Sequence, residues 1–155
     1  MWIGEQAAIG AAELALQAQA LPGLVEAARD GCPGQPLLVE RLDEAGDGYY
    51  LVPWNTSRGT ELMVRVDAVT GAFLGLTRFS QPASSPLLSV REALDRARAE
   101  MTGIEFGLPR AVWRPCREST TPVRPLYEIP FEDAMLYVDM DGTVHHRLTP
   151  LGRGG

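Results

Sequence analysis

Lysine is absent from this chain of 155 residues, in which all fourteen basic residues are arginine. A Schiff-base lysine, a P-loop lysine and a lysine general base are therefore excluded. A GC-rich genome is the simpler explanation of the same bias. The absence removes several enzyme classes and identifies none.

Positive charge and long apolar runs are also scarce. The formal net charge is −6, so the chain as a whole opposes binding to a phosphate backbone. No window approaches the run of about eighteen apolar residues that a membrane-spanning helix requires. The apolar N-terminal segment lacks a basic region and carries Glu5 and Glu13, which argues against a signal peptide. We expect a cytoplasmic protein that binds neither nucleic acid nor membrane.

Cysteine and histidine, the usual residues of metal and redox sites, number two each. Cys32 and Cys116 stand 84 positions apart without a CxxC motif, and reduced thiols are the default in a cytoplasm. A disulfide is the less favoured alternative. His145 and His146 are adjacent, so on a strand they point to opposite faces, and His146 is expected to be half-buried. The sequence therefore predicts no metal site and no cofactor.

Two segments share one sequence pattern, the first from Tyr50 to Phe73 and the second from Tyr127 to Val144. Each reads Tyr-x-(Val/Ile)-Pro-aromatic, a spacer, Val-Asp, a short loop that ends in Gly, a small residue and an apolar residue. Self-similarity of this kind indicates a duplicated unit.

A helical pattern precedes each copy. Ser89 and Glu92 form a capping box, in which each side chain accepts a hydrogen bond from an orphan backbone amide at the helix start. Before the first copy, an alanine-rich helix is predicted from about Glu5 to Leu21. A break at Pro22-Gly23 and a short helical turn from Leu24 to Arg29 are predicted to follow.

The strands follow from alternation of period two. Aromatic or β-branched residues occupy alternate positions in both copies, as in half-buried strands. Residues 38–41 and 111–114 are predicted to add one more strand to each copy. The alternating residues are Tyr50, Val52 and Trp54 in the first copy and Tyr127, Ile129 and Phe131 in the second.

These patterns predict an α+β fold made of two tandem helix-plus-antiparallel-hairpin repeats, with the helices packed on an antiparallel β-sheet. We expect the first repeat in residues 1–79, a linker in 80–88, the second repeat in 89–150 and a disordered tail in 151–155. The two repeats are expected to form one compact unit.

Residues 139–143, Asp-Met-Asp-Gly-Thr, resemble the nucleophile loop of the haloacid-dehalogenase-like phosphatases. In that family the motif lies early and further motifs follow it, one of them usually a lysine, whereas twelve residues follow Thr143 here. A hairpin loop with Gly142 in the left-handed conformation explains the same residues. We predict a turn and no enzyme, with a phosphatase as the least favoured alternative. The hairpin register would place on one face Leu136, Val138, Val144, His146 and Leu148.

The best surface candidate is the segment that runs from Trp54 through Asn55 to Arg58, an aromatic residue followed by polar, turn-forming residues and an arginine. Trp and Arg are enriched at binding hot spots, although Trp54 itself is expected to lie in the core. Trp113 and Arg114 are a weaker candidate of the same kind. All five residues are predicted to contact a protein partner.

The quoted elements resemble a PepSY domain: a helix that opens Ser89-x-x-Glu-Ala, a Tyr127-x-Ile strand and the hairpin of residues 138–144. Residues 66–73 match the Val-Asp-x-x-Thr-Gly-x-Val hairpin of that family even better. The resemblance implies a PepSY- or cystatin-like fold. It also implies a non-catalytic module, of the kind found in propeptides of secreted metallopeptidases and in cell-envelope proteins.

Without a peptidase or a membrane anchor beside it, the chain fits a free-standing binding module. We expect a protein-binding or inhibitory protein that acts on a partner such as a peptidase or a toxin, in the manner of an immunity protein or an adaptor. Its acidic charge suits a basic target. A self-associating homodimer or a small-ligand-binding protein is the alternative.

Overall fold

The computed structural model describes residues 1–19 and 24–152, so the predicted break at Pro22-Gly23 and residues 153–155 of the predicted tail lie outside it. None of the helices in the described residues is long and apolar enough to cross a lipid bilayer. The helices are α1 (Glu5–Ala18), α2 (Leu24–Asp30) and α3 (Val90–Glu100). The strands are β1 (Cys32–Pro33), β2 (Leu37–Arg41), β3 (Gly48–Thr56), β4 (Gly59–Asp67), β5 (Phe73–Ala83), β6 (Arg110–Trp113), β7 (Leu126–Phe131), β8 (Ala134–Val138) and β9 (Val144–His145).

The chain divides into two compact units. The first unit contains Met1–Val39 and Gly46–Pro86, and the second contains Glu40–Ala45 and Leu87–Gly155. The boundary passes through β2, whose last two residues belong to the second unit.

The first unit is built on three long antiparallel strands joined by tight turns. β3 pairs with β4, and β4 pairs with β5. The short strand β1 pairs with the far end of β3. Within the described residues β5 pairs with β4 alone and so forms an edge.

Helix α1 lies on these strands through its small residues. Ala8, Ala12 and Leu16 recur at helical spacing and are buried. Alanine allows the helix backbone to approach the strands closely. Removal of this apolar surface from water stabilises the unit by about 25 cal/mol per Å². The strand residues in the same cluster are Tyr50, Val52, Trp54, Leu62, Val64 and Val66.

The second unit combines one helix with a mixed set of strands. β6, β7, β8 and β9 pair antiparallel in that order, but residues 40–41 at the end of β2 run parallel to residues 112–113 of β6. Helix α3 starts at the predicted capping box, where the Ser89 and Glu92 side chains each accept a hydrogen bond from the other residue's amide. The prediction of this helix start is confirmed.

The two tyrosines of the repeated pattern make the same contact in their own units. The Tyr50 hydroxyl donates to the carbonyl of Ile3, and the Tyr127 hydroxyl donates to the carbonyl of Leu88, both at 2.6 Å. Each acceptor lies just before a helix, α1 or α3. Burial raises the pKa of Tyr127 to about 12, with a smaller contribution from the charge of Glu92. The sequence repeat therefore corresponds to a repeated hydrogen bond, from a tyrosine on a strand to a backbone carbonyl just before a helix.

The predicted fold class is nevertheless wrong. Nine strands dominate the described residues, and their pairing is mixed because of the parallel pair between β2 and β6. They do not form two equal helix-plus-hairpin repeats. Alternation and turn signals report pairing between neighbours in sequence, whereas a parallel pair joins distant segments and leaves no local signal. β5 also continues to Ala83, into the predicted 80–88 linker. The repeat boundaries at 1–79 and 89–150 stay a prediction.

Candidate functional site

An open cleft of about 600 Å³ lies in the first unit, where β5 leaves its regular pairing with β4. Glu26 and Asp30 of α2 form one wall of the cleft. Arg58, in the turn between β3 and β4, and Glu61, in β4, also line the cleft. Residues 78–82 of β5 complete it. We call this feature the β5 cleft.

A long bulge in β5 creates the opening. Thr60 lies opposite Ala83 and Leu62 lies opposite Arg78, so the single residue between the two on β4 faces residues 79–82 on β5. Bulges bend a strand, re-aim its side chains and occur more often beside functional sites than elsewhere. The backbone of residues 79–82 is thus turned away from the regular ladder.

A glycine permits the close approach that closes this bulge. Gly59 has a φ of +126°, and a Cβ atom there would lie 2.7 Å from the carbonyl oxygen of Ala83. Any other residue would be strained in this conformation and would collide with backbone. The turn that presents Arg58 therefore depends on Gly59.

The side chains of the cleft carry charges that the fold does not use. Arg58 and Glu61 form an ion pair with each other, in which the Arg58 side chain is 73% exposed and the Glu61 side chain is 16% exposed. Arg78, Glu26 and Asp30 are exposed and make no ion pair within residues 1–19 and 24–152. One cation and two carboxylates are therefore unpaired among the described residues, and Arg58 is paired only with Glu61.

Of the predicted partner-binding residues in the first unit, only Arg58 lines the cleft. Trp54 is 4% exposed, and its indole nitrogen donates to the carbonyl of Ala28 in α2. Its placement in the core is confirmed, and it supports the helix that carries the acidic wall. Asn55 is half-buried and accepts a hydrogen bond from the Thr60 hydroxyl at 2.6 Å. Asn55 therefore helps to shape the turn, and its contact with a partner stays a prediction.

The other two predicted residues, Trp113 and Arg114, belong to the second unit. Trp113 is buried, donates to the Ser119 hydroxyl at 3.2 Å and carries the guanidinium of Arg41 over its ring at 5.6 Å. Arg114 donates to the carbonyl of Leu148 at 3.3 Å. Its Nε atom is buried and has no hydrogen-bond partner among residues 1–19 and 24–152. Neither residue lines the β5 cleft, and Trp113 has a packing role.

The loop of the phosphatase-like motif is a turn, as predicted. One oxygen of Asp139 accepts hydrogen bonds from the amides of Asp141 and Thr143, at 2.9 and 3.0 Å. The other oxygen lies 2.9 Å from Nε2 of His145. Gly142 has a φ of +85°. Both carboxylate oxygens are committed to the turn, which is the opposite of what an attacking nucleophile requires.

The first copy of the pattern uses its aspartate in the same way. Asp67 accepts from the amides of Val69 and Thr70 at 2.8 and 2.7 Å. The hydrogen bond from the Thr70 amide, aided by that from Val69, lowers the pKa of Asp67 despite partial burial. What the copies share is thus a turn held by an aspartate.

The predicted placement of the histidines is wrong. His146 does not share the apolar face; its side chain is 60% exposed and lies 3.3 Å from a Glu100 oxygen. His145 is the half-buried one, through Asp139. The cause is the length of β9, which ends at His145, so the alternation assumed from the sequence stops there.

The second unit also contains a smaller cavity and a buried cysteine. A smaller cavity of about 220 Å³ is lined by residues 117–121, Arg124 and residues 139–141, but Arg124 is paired with Asp141 at 2.5 Å. Burial raises the pKa of the Cys116 thiol, whereas reactive cysteines have a lowered pKa. Cys32 and Cys116 are both free, the first exposed and the second buried. Among the described residues no three His, Cys, Asp or Glu side chains are grouped to hold a metal ion.

Sequence reasoning missed the strand that forms the cleft. Residues 79–82 and Arg78 lie where the sequence was interpreted as the end of one repeat and a linker. One signal was available: after Phe73, polar and apolar residues follow one another without clear alternation. A stretch of this kind is typical of an exposed edge strand rather than of a loop. A bulge has no sequence signature of its own here.

Comparisons with known proteins leave the family open. No protein-family model and no curated protein matches the chain. Among solved structures, a "putative lipoprotein" from Clostridium difficile aligns over 79% of this chain and 84% of its own, with 14% identity and a TM-score of 0.27. A likeness this weak carries no argument about fold or function.

Proposed function

We propose that this chain is a non-catalytic protein-binding module whose first unit holds an extended segment of a protein partner along β5 and in the β5 cleft. The observation that carries the proposal is the edge itself. β5 runs over eleven residues and pairs with β4 alone among the described strands. A free strand edge is a template for a segment from another chain.

The bulge divides this edge into two parts with different uses. Residues 75–78 keep a regular register with β4, and a second register shift lies between Gly75 and Phe73, so a partner strand has a short regular ladder to join there. Residues 79–82 bend away, which stops indiscriminate edge-to-edge pairing. Recognition then rests on the charges of Arg58 and Arg78 on one side of the cleft and of Glu26 and Asp30 on the other. Complementary charges across an interface determine which partner binds and in which register, and they contribute less to the affinity itself.

The class of partner comes from the resemblance and the overall charge. A PepSY-like module acting on a peptidase or toxin, in the cytoplasm, would meet a folded protein with an exposed segment. A net charge of −6 favours a basic partner by steering the encounter. The module would inhibit or sequester that partner without changing it chemically.

A site-specific crosslinking experiment tests the proposal. A photo-crosslinking amino acid is placed at Gln81 in the cleft or at Gln17 on α1, both exposed glutamines of the first unit. Each protein is irradiated in lysate of its own host, and the products are identified by mass spectrometry. We expect one dominant partner from position 81 and none from position 17. Equal products from both positions, or none from position 81, would contradict the proposal.

Charge variants supply the second arm. Arg78→Ala and Arg58→Ala should weaken capture of that partner about tenfold or more, as expected for arginine at a binding hot spot. Arg98→Ala is the control, because Arg98 is exposed on α3 in a weak pair with Asp95 at 3.6 Å. Equal capture by all three variants would show that the cleft does not select the partner.

Self-association is the alternative that one observation favours. Phe73 and Leu74, at the start of β5, are 41% and 43% exposed, and a second copy could cover them by pairing edge to edge. Light scattering decides between the two. A mass of twice the chain, lost in Leu74→Lys, would support a homodimer, whereas a monomer at high concentration would exclude it.

A further inference from the structure

In the second unit, the chain's own residues 147–150 fill a groove beside residues 114–119. The Arg117 amide donates to the carbonyl of Thr149 at 2.9 Å, and Cys116 and Pro150 form an antiparallel bridge. The segment thus lies along the groove as a short added strand. We call residues 147–150 the strap and residues 114–119 the groove.

One apolar side chain anchors the strap. Leu148 is 8% exposed and packs in a cluster with Val112, Cys116 and Leu126. Its carbonyl accepts the hydrogen bond from the Arg114 guanidinium. The groove therefore offers a pocket for one apolar residue and a cation for the carbonyl beside it.

The carboxylate of Glu118 binds the next residue of the strap, Thr149, through two hydrogen bonds that we call the clamp. One oxygen of Glu118 accepts from the Thr149 amide at 2.8 Å, and the other accepts from the Thr149 hydroxyl at 2.7 Å. Only serine and threonine offer a backbone N–H together with a hydroxyl one carbon away. The clamp thus selects a hydroxyl residue directly after the apolar anchor.

The strap has the features of a segment that opens without global unfolding. Within the described residues it contains no strand beyond a single bridge, and the residue after it, Leu151, is 47% exposed. Segments with one buried anchor and few backbone hydrogen bonds belong to the low-stability end of a fold. The groove, by contrast, has contacts that do not involve the strap: Cys116 and Ser119 form an antiparallel bridge, and the Trp113 indole nitrogen donates to the Ser119 hydroxyl at 3.2 Å.

We propose that the groove is a peptide-binding site, occupied in cis by the strap, that accepts an extended segment of a partner with an apolar residue followed by serine or threonine. Peptides bind commonly by adding a strand whose side chains enter pockets. The apparent affinity for a partner is the intrinsic affinity of the open groove multiplied by the fraction of time for which the strap is open. This proposal does not rest on the β5 cleft, which belongs to the first unit.

Two cysteines make the opening measurable in the full chain. Cys116 is 0% exposed in the cluster beneath Leu148, whereas Cys32 is exposed. A chromogenic disulfide reagent should label Cys32 at once and Cys116 only when the strap opens. Each molecule therefore carries its own reference thiol.

The test uses the full chain with Leu148→Ala and a synthetic peptide of sequence HRLTPLG, which copies residues 146–152. We expect Cys116 of the variant to be labelled at least tenfold faster than in the unaltered chain, while its circular dichroism stays native. The peptide should slow that labelling, and a peptide with valine in place of the threonine should need about tenfold more, since the charged hydrogen bond is lost.

Two results would overturn the proposal. Labelling of Cys116 that appears only at the denaturant concentration of global unfolding would show that the strap is a fixed part of the fold. Failure of millimolar HRLTPLG to protect Cys116, in a variant that labels faster, would show that the groove does not accept a separate segment. If Leu148→Ala does not fold, Thr149→Val takes its place, because it keeps the apolar anchor and removes only the hydroxyl.

Discussion

Asp67 and Asp139 each hold a turn through backbone amides, and a pair of substitutions tests this role for Asp139. Asp139→Ala should lower the free energy of unfolding by about 2 kcal/mol, because hydrogen bonds to a carboxylate are worth roughly 1.5–3 kcal/mol. Asp141→Ala should lower it by at most about 0.5 kcal/mol, since its pair with Arg124 is exposed. Urea unfolding followed by circular dichroism measures both.

The same two variants test the least favoured enzyme hypothesis. A phosphatase would require both carboxylates for activity whatever their effect on stability. Phosphate release by the unaltered protein with magnesium, abolished equally by Asp139→Asn and Asp141→Asn with the fold intact, would contradict the assignment of a turn. Equal destabilisation by the two alanine variants would contradict it as well.

Glu118 gives the strap a pH dependence whose sign follows from its pKa. Burial alone would raise the pKa of Glu118, but the two hydrogen bonds from Thr149, with a smaller contribution from the charge of His145, hold it below the ordinary value of 4.5. A depressed pKa contributes stability that is present above pH 4.5 and is lost as the pH falls through the folded-state value. Protonation removes the clamp, so the strap should open more often in acid.

Hydrogen exchange of the Arg117 amide, which is bonded to the strap, measures this opening. After correction for the intrinsic exchange rate, its protection should fall between pH 5 and pH 3 and should not fall in Glu118→Gln, which carries no titrating carboxylate. Protection that falls equally in both proteins would assign the change to another group.

Among the secondary-structure elements, some glycines are required by the backbone conformation and others are not. Gly59→Ala should destabilise by about 2 kcal/mol or more, because of its φ of +126° and the 2.7 Å approach to Ala83. Gly10→Ala should stabilise by about 0.5–1 kcal/mol, because Gly10 lies inside α1 with nothing within 4 Å of its would-be Cβ. Thermal unfolding of both variants checks the opposite signs.

A loss of stability in Gly10→Ala would mean that the surface of α1 is covered in a way that the described residues do not show. Gly59→Ala has a second readout, since its strain falls on the bulge. Capture of the partner through Gln81 should fall further than the loss of folded protein explains. Capture that only follows the folded fraction would separate Gly59 from the β5 cleft.

Elements with local signals were predictable, and elements that depend on distant pairing were not. The Ser89 capping box and the turns at Asp67 and Asp139 are encoded within four or five residues, so the sequence sufficed for them. The parallel pairing of β2 with β6 is decided by packing of segments far apart, and it overturned the predicted fold class.

The candidate site divides in the same way. Arg58 was predicted because a turn with an arginine is visible in the sequence, and it does line the β5 cleft. Arg78 and residues 79–82 were missed because a bulge is defined by register against β4. Trp113 was predicted as a contact because an arginine follows the tryptophan. Its side chain is buried, and its contact with a partner stays a prediction.

For the molecule as a whole, charge is spread over both units rather than concentrated in one. The first unit carries seven acidic and four basic residues and the second thirteen and ten, a net charge of −3 each. A basic partner would therefore be attracted by the whole chain, before any contact at the β5 cleft. Long-range attraction of this kind raises the association rate and is screened by salt, whereas short-range contacts set the dissociation rate.

The salt dependence of binding to the captured partner separates these contributions. Between about 20 and 300 mM salt, the association rate should fall on the order of tenfold and the dissociation rate should change much less. Glu13→Gln, on the exposed side of α1 and outside the β5 cleft, should lower the association rate slightly, whereas Arg78→Ala should act mainly on dissociation. Stopped-flow or surface-based kinetics resolve the two rates. An association rate that does not depend on salt would mean that the partner is not basic, and the inference drawn from the net charge would fall while the β5 cleft stood.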